Sequence, residues 1–216
     1  MSLMKKIVIL IHGYQQDKSD MFVLKENLEK LGYQCLAVDL PLTFKPLKYS
    51  AWLLKKKVKK ILARLPKGEQ ISLVGHSTGG LVIRSFVANT KKKRRIGRCV
   101  LIATPNQGSY LADLAAEISG LAPEIFRTLG SLQTEEVKQL EQEVAGVEMG
   151  AIAGNKNALL LGALLSGPND GRVTVESVKY EGLSDFVVLP YHHQEIHYQF
   201  ETAKLVDSFL KRGSFK

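Results

Sequence analysis

The alternation of short apolar runs with helix-period segments constrains this chain more than any other feature. Residues 7–11, Ile-Val-Ile-Leu-Ile, form an apolar run too short for a helix, after which Met21, Leu24, Leu28 and Leu31 recur at helical spacing until Gly32. The pairing repeats. A strand over about residues 34–39 ends before Pro41 and is followed by a helix over about 50–65; a strand over 71–75 runs into a helix at Leu81; a fourth strand spans 98–103. Strands joined by helical crossovers are the pattern of a parallel sheet. The rhythm lapses over residues 109–145, where 111–118 and the Val137-Leu140-Val144 stretch read as helices inserted above the sheet. It resumes with strands at 148–153 and 186–189 and a closing helix that places Ile196, Phe200, Ala203, Val206 and Leu210 on one face. The expected fold is α/β, a doubly wound, mostly parallel sheet of about six strands with a small helical insert. With 216 residues, 45% of them hydrophobic, and no Gly/Ser/Pro-rich divider, residues 4–216 are expected to form one domain.

Composition narrows the function classes. Met1-Ser2-Leu3 precede a second methionine, Met4, and read as a cloning remnant. The apolar run that follows is too short for a secretory signal, and no segment approaches bilayer-spanning length. A cytoplasmic protein is therefore expected. Cys35 and Cys99 each lie in a strand-like run and read as reduced core thiols. No Cys/His grouping has zinc spacing and no acidic loop has the calcium pattern, so neither metal nor cofactor is expected and activity should survive a chelator. The net charge of +9 has two local sources. Lys55, Lys56, Lys57, Lys59 and Lys60 fall opposite the Leu54, Val58, Ile61 and Leu65 face of their helix, and Lys91 to Arg95 form a basic loop. Both read as solvated charge. Without interleaved aromatics no nucleic-acid partner is expected, while weak association with an anionic surface is compatible with the charge.

The chemistry concentrates at Gly75-His76-Ser77-Thr78-Gly79, a G-x-S-x-G sequence placed between an expected strand and an expected helix. A turn that sharp needs glycines beside the serine, because a Cβ there would clash. It lifts the hydroxyl above the sheet edge, and the helix aims its first N–H groups at a developing oxyanion. Ser77 is thus the candidate nucleophile. His76 should point away from it, into the structure.

Several motifs together resemble the α/β-hydrolase superfamily, and within it the small bacterial lipases and esterases without a large cap domain. They are His12-Gly13-Tyr14 after the first strand, the serine turn, Ala103-Thr104-Pro105-Asn106-Gln107-Gly108-Ser109 after the fourth strand, Asn169-Asp170-Gly171-Arg172-Val173, and a histidine in Tyr191-His192-His193-Gln194-Glu195-Ile196. The resemblance implies Asp170 as triad acid and the backbone N–H groups of Tyr14 and Thr78 as oxyanion donors. It also implies an ester substrate. The order Ser77, Asp170, His193 is the one this fold uses. A serine needs a neutral imidazole to take its proton and a carboxylate to hold that imidazole's tautomer. Asn169 and Gly171 mark an exposed turn at Asp170; Asp113 and Asp185 are the other carboxylates open to the role. Chain order alone does not choose among His192, His193 and His197. In the relatives the base stands three residues before the first buried helical position, which selects His193 before Ile196 and leaves His197 on the surface. His12 is expected to brace the oxyanion loop, and Thr104 and Asn106 to fix theirs. Leu111, Leu114, Ile118, Leu121, Ile125 and Phe126 are expected to supply apolar surface to an acyl pocket. The reading is a serine hydrolase for esters of short to medium acyl chain. An amidase or thioesterase, or a binding protein on the same fold, are the alternatives.

Overall fold

Five consecutive apolar residues leave β1 (Ile7–Ile11) no polar face, and all five are buried. Such a strand belongs at the centre of a sheet covered on both sides. In the computed structural model, which describes residues 6–119, 121–140, 146–158 and 160–216, it lies between β2 (Gln34–Val38) and β3 (Ile71–His76). β4 (Ile96–Ile102), β5 (Met149–Gly154) and β6 (Asp185–Leu189) continue the sheet in the order β2-β1-β3-β4-β5-β6, and every pairing is parallel. The six strands match the expected fold, each bounded within about two residues of its sequence reading.

The pleat sorts side chains into two cores. Ile9, Leu73, Leu101 and Ala151 point to one face, where they meet α2 (Leu47–Leu62) and α3 (Thr78–Ala88). Val8, Leu10, Val74, Val100 and Ile152 point to the other, against α1 (Phe22–Lys30) and α9 (Phe200–Arg212). In α2 the residues Leu54, Val58 and Leu62 are buried while Lys55, Lys56, Lys59 and Lys60 are exposed, the segregation the sequence suggested. Cys35 and Cys99 are both free and buried. Among the described residues no helix is long and apolar enough to cross a membrane.

Among the described residues the insert contains four short helices, α4 (Tyr110–Ile118), α5 (Ala122–Ile125), α6 (Arg127–Gly130) and α7 (Thr134–Lys138); its expected continuation through Val144 and Ala145 lies outside them. It is pinned to the chain before and at the start of α2. The Thr128 hydroxyl donates to the Lys45 carbonyl at 2.6 Å, the Leu47 N–H donates to Ser131 Oγ at 3.1 Å, and Phe126 stacks on Phe44. One further helix, α8 (Val175–Val178), precedes β6.

The end of the chain departs from the expected single helix. Ile196 lies in a separate helical turn (Ile196–Tyr198), and Gln199, extended at φ −75° and ψ 136°, separates that turn from α9. The apparent face from Ile196 through Phe200 is therefore broken: Phe200 is exposed, and α9 packs through Ala203, Val206, Phe209 and Leu210.

Candidate active site

The topology opens a crevice at one place. After β1 the chain leaves for the α1 face, after β3 for the α3 face, so the loops at the C-terminal ends of these neighbouring strands diverge. Register aligns Ile11 with Gly75 and thereby sets His12-Gly13-Tyr14 beside His76-Ser77-Thr78.

Ser77 turns the chain from β3 into α3 with φ 52° and ψ −124°, a conformation costing on the order of 1–3 kcal/mol for a residue with a side chain. Its surroundings hold it there. The Ser77 N–H donates to the Ile102 carbonyl at 2.8 Å, and its own carbonyl accepts from Gly80 N–H at 3.0 Å. A Cβ at Gly75 would stand 2.6 Å from the Gly79 carbonyl carbon and from Gly80 N, and one at Gly79 would stand 2.6 Å from the His12 carbonyl oxygen. Neither position admits a side chain. The N–H groups of Thr78 and Gly79, the first two of α3, precede any intrahelical acceptor. Gly13 lies against the serine, so that a Cβ there would be 3.2 Å from Ser77 Cβ. His12 braces this loop: Nε2 accepts from Leu40 N–H at 3.1 Å, which leaves Nδ1–H to donate to the Gly13 carbonyl at 2.9 Å.

Ser77, Asp170 and His193 meet at this crevice. Ser77 Oγ lies 3.0 Å from His193 Nε2, and His193 Nδ1 lies 2.8 Å from Asp170 Oδ2. The second carboxylate oxygen accepts from Arg172 N–H at 3.0 Å and Val173 N–H at 2.8 Å, and the Asp170 carbonyl accepts from His193 N–H at 2.9 Å. Asp170 is fully buried, not on an exposed turn, because β5 and the loop before His193 cover it; a Cβ on Gly154 would come within 2.8 Å of its Cβ. Burial pushes the His193 imidazole below its ordinary range, and the Asp170 carboxylate pulls the other way. The ring is therefore neutral near pH 7.

The other candidates stand elsewhere. Asp113 caps α7, accepting from Thr134 N–H and Oγ–H at 3.0 and 2.6 Å, and Asp185 accepts from Phe215 N–H at 2.7 Å at the chain's end. His192 pairs with Glu195 at 3.1 Å and stays partly exposed. His197, expected on the surface, is buried: the turn after Ile196 directs it inward, onto the ring of His76 at 3.8 Å. His76 is buried, with Nε2 donating to the His193 carbonyl at 3.0 Å, and borders the same cavity as Ser77.

A cavity of about 200 Å³ borders Ser77 and His193 and is lined also by Gly13, Tyr14, Arg172 and Gln194. The insert residues assigned to an acyl pocket do not line it; Ile118, Leu121 and Ile125 instead stand exposed to solvent.

The family described as "Putative serine esterase (DUF676)" matches residues 2–131, more than half of the chain. The chain belongs to this family. The DUF676 match carries Gly13 and Ser77 and ends before Asp170 and His193. The fold is similar to that of Bacillus licheniformis lipase BlEst2 in its mature form, at 23% identity and a TM-score of 0.81 over 96% of this chain and 91% of that one. It is also similar to the metagenomic carboxyl esterase MGS0156, at 17% identity and a TM-score of 0.73 over 90% and 66% of the two chains. Phospholipase PlaB from Legionella pneumophila shares the fold at 17% identity and a TM-score of 0.64, over 88% of this chain and 53% of that one. A search of curated proteins returned no match.

Two groups of residues escaped sequence reasoning. Arg84, buried in α3, donates to the Asn106 carbonyl at 2.7 Å and lies over the Tyr180 ring, while Asn106 Nδ2 donates to the Val178 carbonyl at 2.8 Å. This ties the loop after β4 to the elbow helix, the fixing role expected of Asn106. The second is Asp20, His76 and His197, whose donor atoms lie within 4.8 Å of one another.

Proposed function

We propose that this DUF676 chain hydrolyses carboxylic esters of short to medium acyl chain through an acyl-enzyme on Ser77, with His193 as general base and Asp170 as the carboxylate that orients it. The observation carrying this reading is a hydrogen-bond chain of consistent polarity. Ser77 Oγ–H donates to the bare Nε2 of a neutral imidazole, whose Nδ1–H donates to a carboxylate fixed by two backbone N–H groups.

Attack forms the bond from Ser77 Oγ to the acyl carbon as the hydroxyl proton passes to His193 Nε2. The imidazolium is stabilised by Asp170, and the negative oxygen by the N–H groups assigned to Tyr14 and Thr78. Collapse breaks the bond to the alcohol oxygen, which leaves with the proton from Nε2. A water molecule then repeats the sequence, giving the carboxylic acid and free Ser77. General-base assistance of this kind contributes about 10²–10⁴-fold. The preference for shorter acyl chains rests on the cavity, which is below the roughly 300–1,000 Å³ of usual ligand pockets.

A fluorophosphonate probe should label the protein at Ser77, and p-nitrophenyl esters of increasing chain length should show highest kcat/KM among the shorter acyl groups. Faster turnover of a matched thioester or anilide would move the activity to a thioesterase or amidase. Absence of both labelling and turnover would leave a binding protein on a hydrolase fold.

A further inference from the structure

We propose that Asp20, His76 and His197 bind a divalent transition-metal cation of the zinc class, at a site independent of whether Ser77 hydrolyses esters. The three residues come from distant parts of the fold. Asp20 lies in the helical turn (Lys18–Met21) before α1, His76 is the last residue of β3, and His197 sits in the turn before α9. Two imidazoles and one carboxylate are a donor set suited to such a cation.

One ligand atom from each residue lies within 4.8 Å of the other two, more open than an occupied tetrahedral site. Ligand atoms about 2.1 Å from a tetrahedral ion stand roughly 3.4 Å apart. Asp20 Oδ2 lies 3.6 Å from His76 Nδ1, and Asp20 Oδ1 lies 3.2 Å from His197 Nε2. The two rings are held against each other with planes 22° apart.

Hydrogen-bond polarity supplies the stronger argument. His76 Nε2 faces the His193 carbonyl, which only accepts, so the ring's hydrogen is on Nε2. Nδ1 of the neutral ring is then a bare lone pair aimed at a carboxylate oxygen. His76 Nδ1 and Asp20 Oδ2, two acceptors 3.6 Å apart, have no hydrogen-bond partner among the described residues, while His197 Nε2 stands 3.2 Å from Asp20 Oδ1. Buried acceptors that face one another are costly, and a shared cation satisfies them together.

The surroundings also fit. Metal-bound histidines commonly donate their second nitrogen to a carbonyl, as His76 does, and ligating carboxylates are themselves hydrogen-bonded. Tyr198 OH donates to Asp20 Oδ1 at 2.7 Å. All three proposed ligands border the cavity beside Ser77, which provides an entry path and room for water as a fourth ligand.

The test uses the untagged full chain, stripped with a chelator, dialysed and titrated with Zn²⁺ by calorimetry, with Co²⁺ as an optical probe. One saturable site per chain is expected, with visible Co²⁺ bands of four-coordinate intensity. Asp20→Asn and His197→Gln should each weaken Zn²⁺ binding by more than about a hundredfold, beyond the roughly 10–100-fold loss typical of an outer-shell change. His192→Gln should leave binding unchanged. Folding of each variant is checked by circular dichroism. Because a buried variant can fail to fold, imidazole nitrogen NMR of the wild-type chain provides a second readout. Zn²⁺ should shift the nitrogens of His76 and His197 and not those of His192. Binding only at millimolar concentration, binding that survives both ligand substitutions, or shifts confined to His192 would overturn the proposal. None of these readouts uses ester turnover, so failure of the esterase reading would leave the result interpretable.

Discussion

The group of Ser77, His193 and Asp170 and the group of Asp20, His76 and His197 use nearly the same residue types, with the rings of His76 and His193 only 5.0 Å apart, yet they are connected in opposite ways. In the first, every donor meets an acceptor, and the chain of bonds ends on backbone N–H groups. In the second, lone pairs converge on a carboxylate and buried polar atoms remain unmatched. A consistent direction of donation moves a proton along a line. Convergent acceptors hold a positive charge at a point. The difference lies in the partner of one ring nitrogen, a serine hydroxyl for His193 and a backbone carbonyl for His76.

Breaking the first group should have the largest effect. Ser77→Ala is expected to lower kcat on short p-nitrophenyl esters by on the order of ten-thousand-fold or more in a chain with an unchanged circular dichroism spectrum, and near-normal turnover would end the hypothesis. His193→Ala should be comparably inactive, while His192→Ala, which removes only the partly exposed pair with Glu195, retains substantial activity. The reverse result would move the base by one residue.

The two aspartates offer a direct contrast. Asp170→Asn should cost roughly a thousandfold or more in kcat, because the amide no longer holds His193 in the required tautomer. In chelated protein, Asp20→Asn should leave the melting temperature unchanged or higher, because an amide N–H can meet the lone pair of His76; a large drop would show Asp20 to be already well satisfied.

The pH profile of chelated protein should show a smaller change. His193 must be neutral to act, and burial lowers its pKa, so kcat/KM should be retained at neutral pH and fall only as pH drops through a value below the ordinary 6.5. Because the Asp170 carboxylate opposes that shift, residual activity in Asp170→Asn should have its acid limb lower still. An acid limb above 6.5 in the wild type would contradict this assignment. Chelation itself should change the ester rate least, since no group in the first set is a ligand of the second.

The sheet and the serine elbow were legible because their causes are local. An unbroken apolar run such as residues 7–11 must be buried on both faces, and Gly75 and Gly79 flank a turn too tight for a Cβ. The errors occurred where local pattern and packing disagree. The spacing of Ile196 and Phe200 imitated a helix, but the extended backbone at Gln199 interrupts it and turns His197 inward. Asn169-Asp170-Gly171 has the chemistry of a surface turn, yet Gly154 on β5 leaves room for Asp170 to be enclosed.

By itself, then, the sequence determined the alternation of strands and helices and the tight turn at Ser77, and through motif resemblance it pointed to Asp170 and His193 as the proposed acid and base, since each is written in neighbouring residues. Only the tertiary structure decided that Asp113 and Asp185 are committed elsewhere, that the insert leaves the cavity unlined, and that Asp20, His76 and His197 lie close together. Hydrogen-bond polarity and enclosure depend on which distant segments meet, and parallel strand order brings together residues that no spacing along the chain connects.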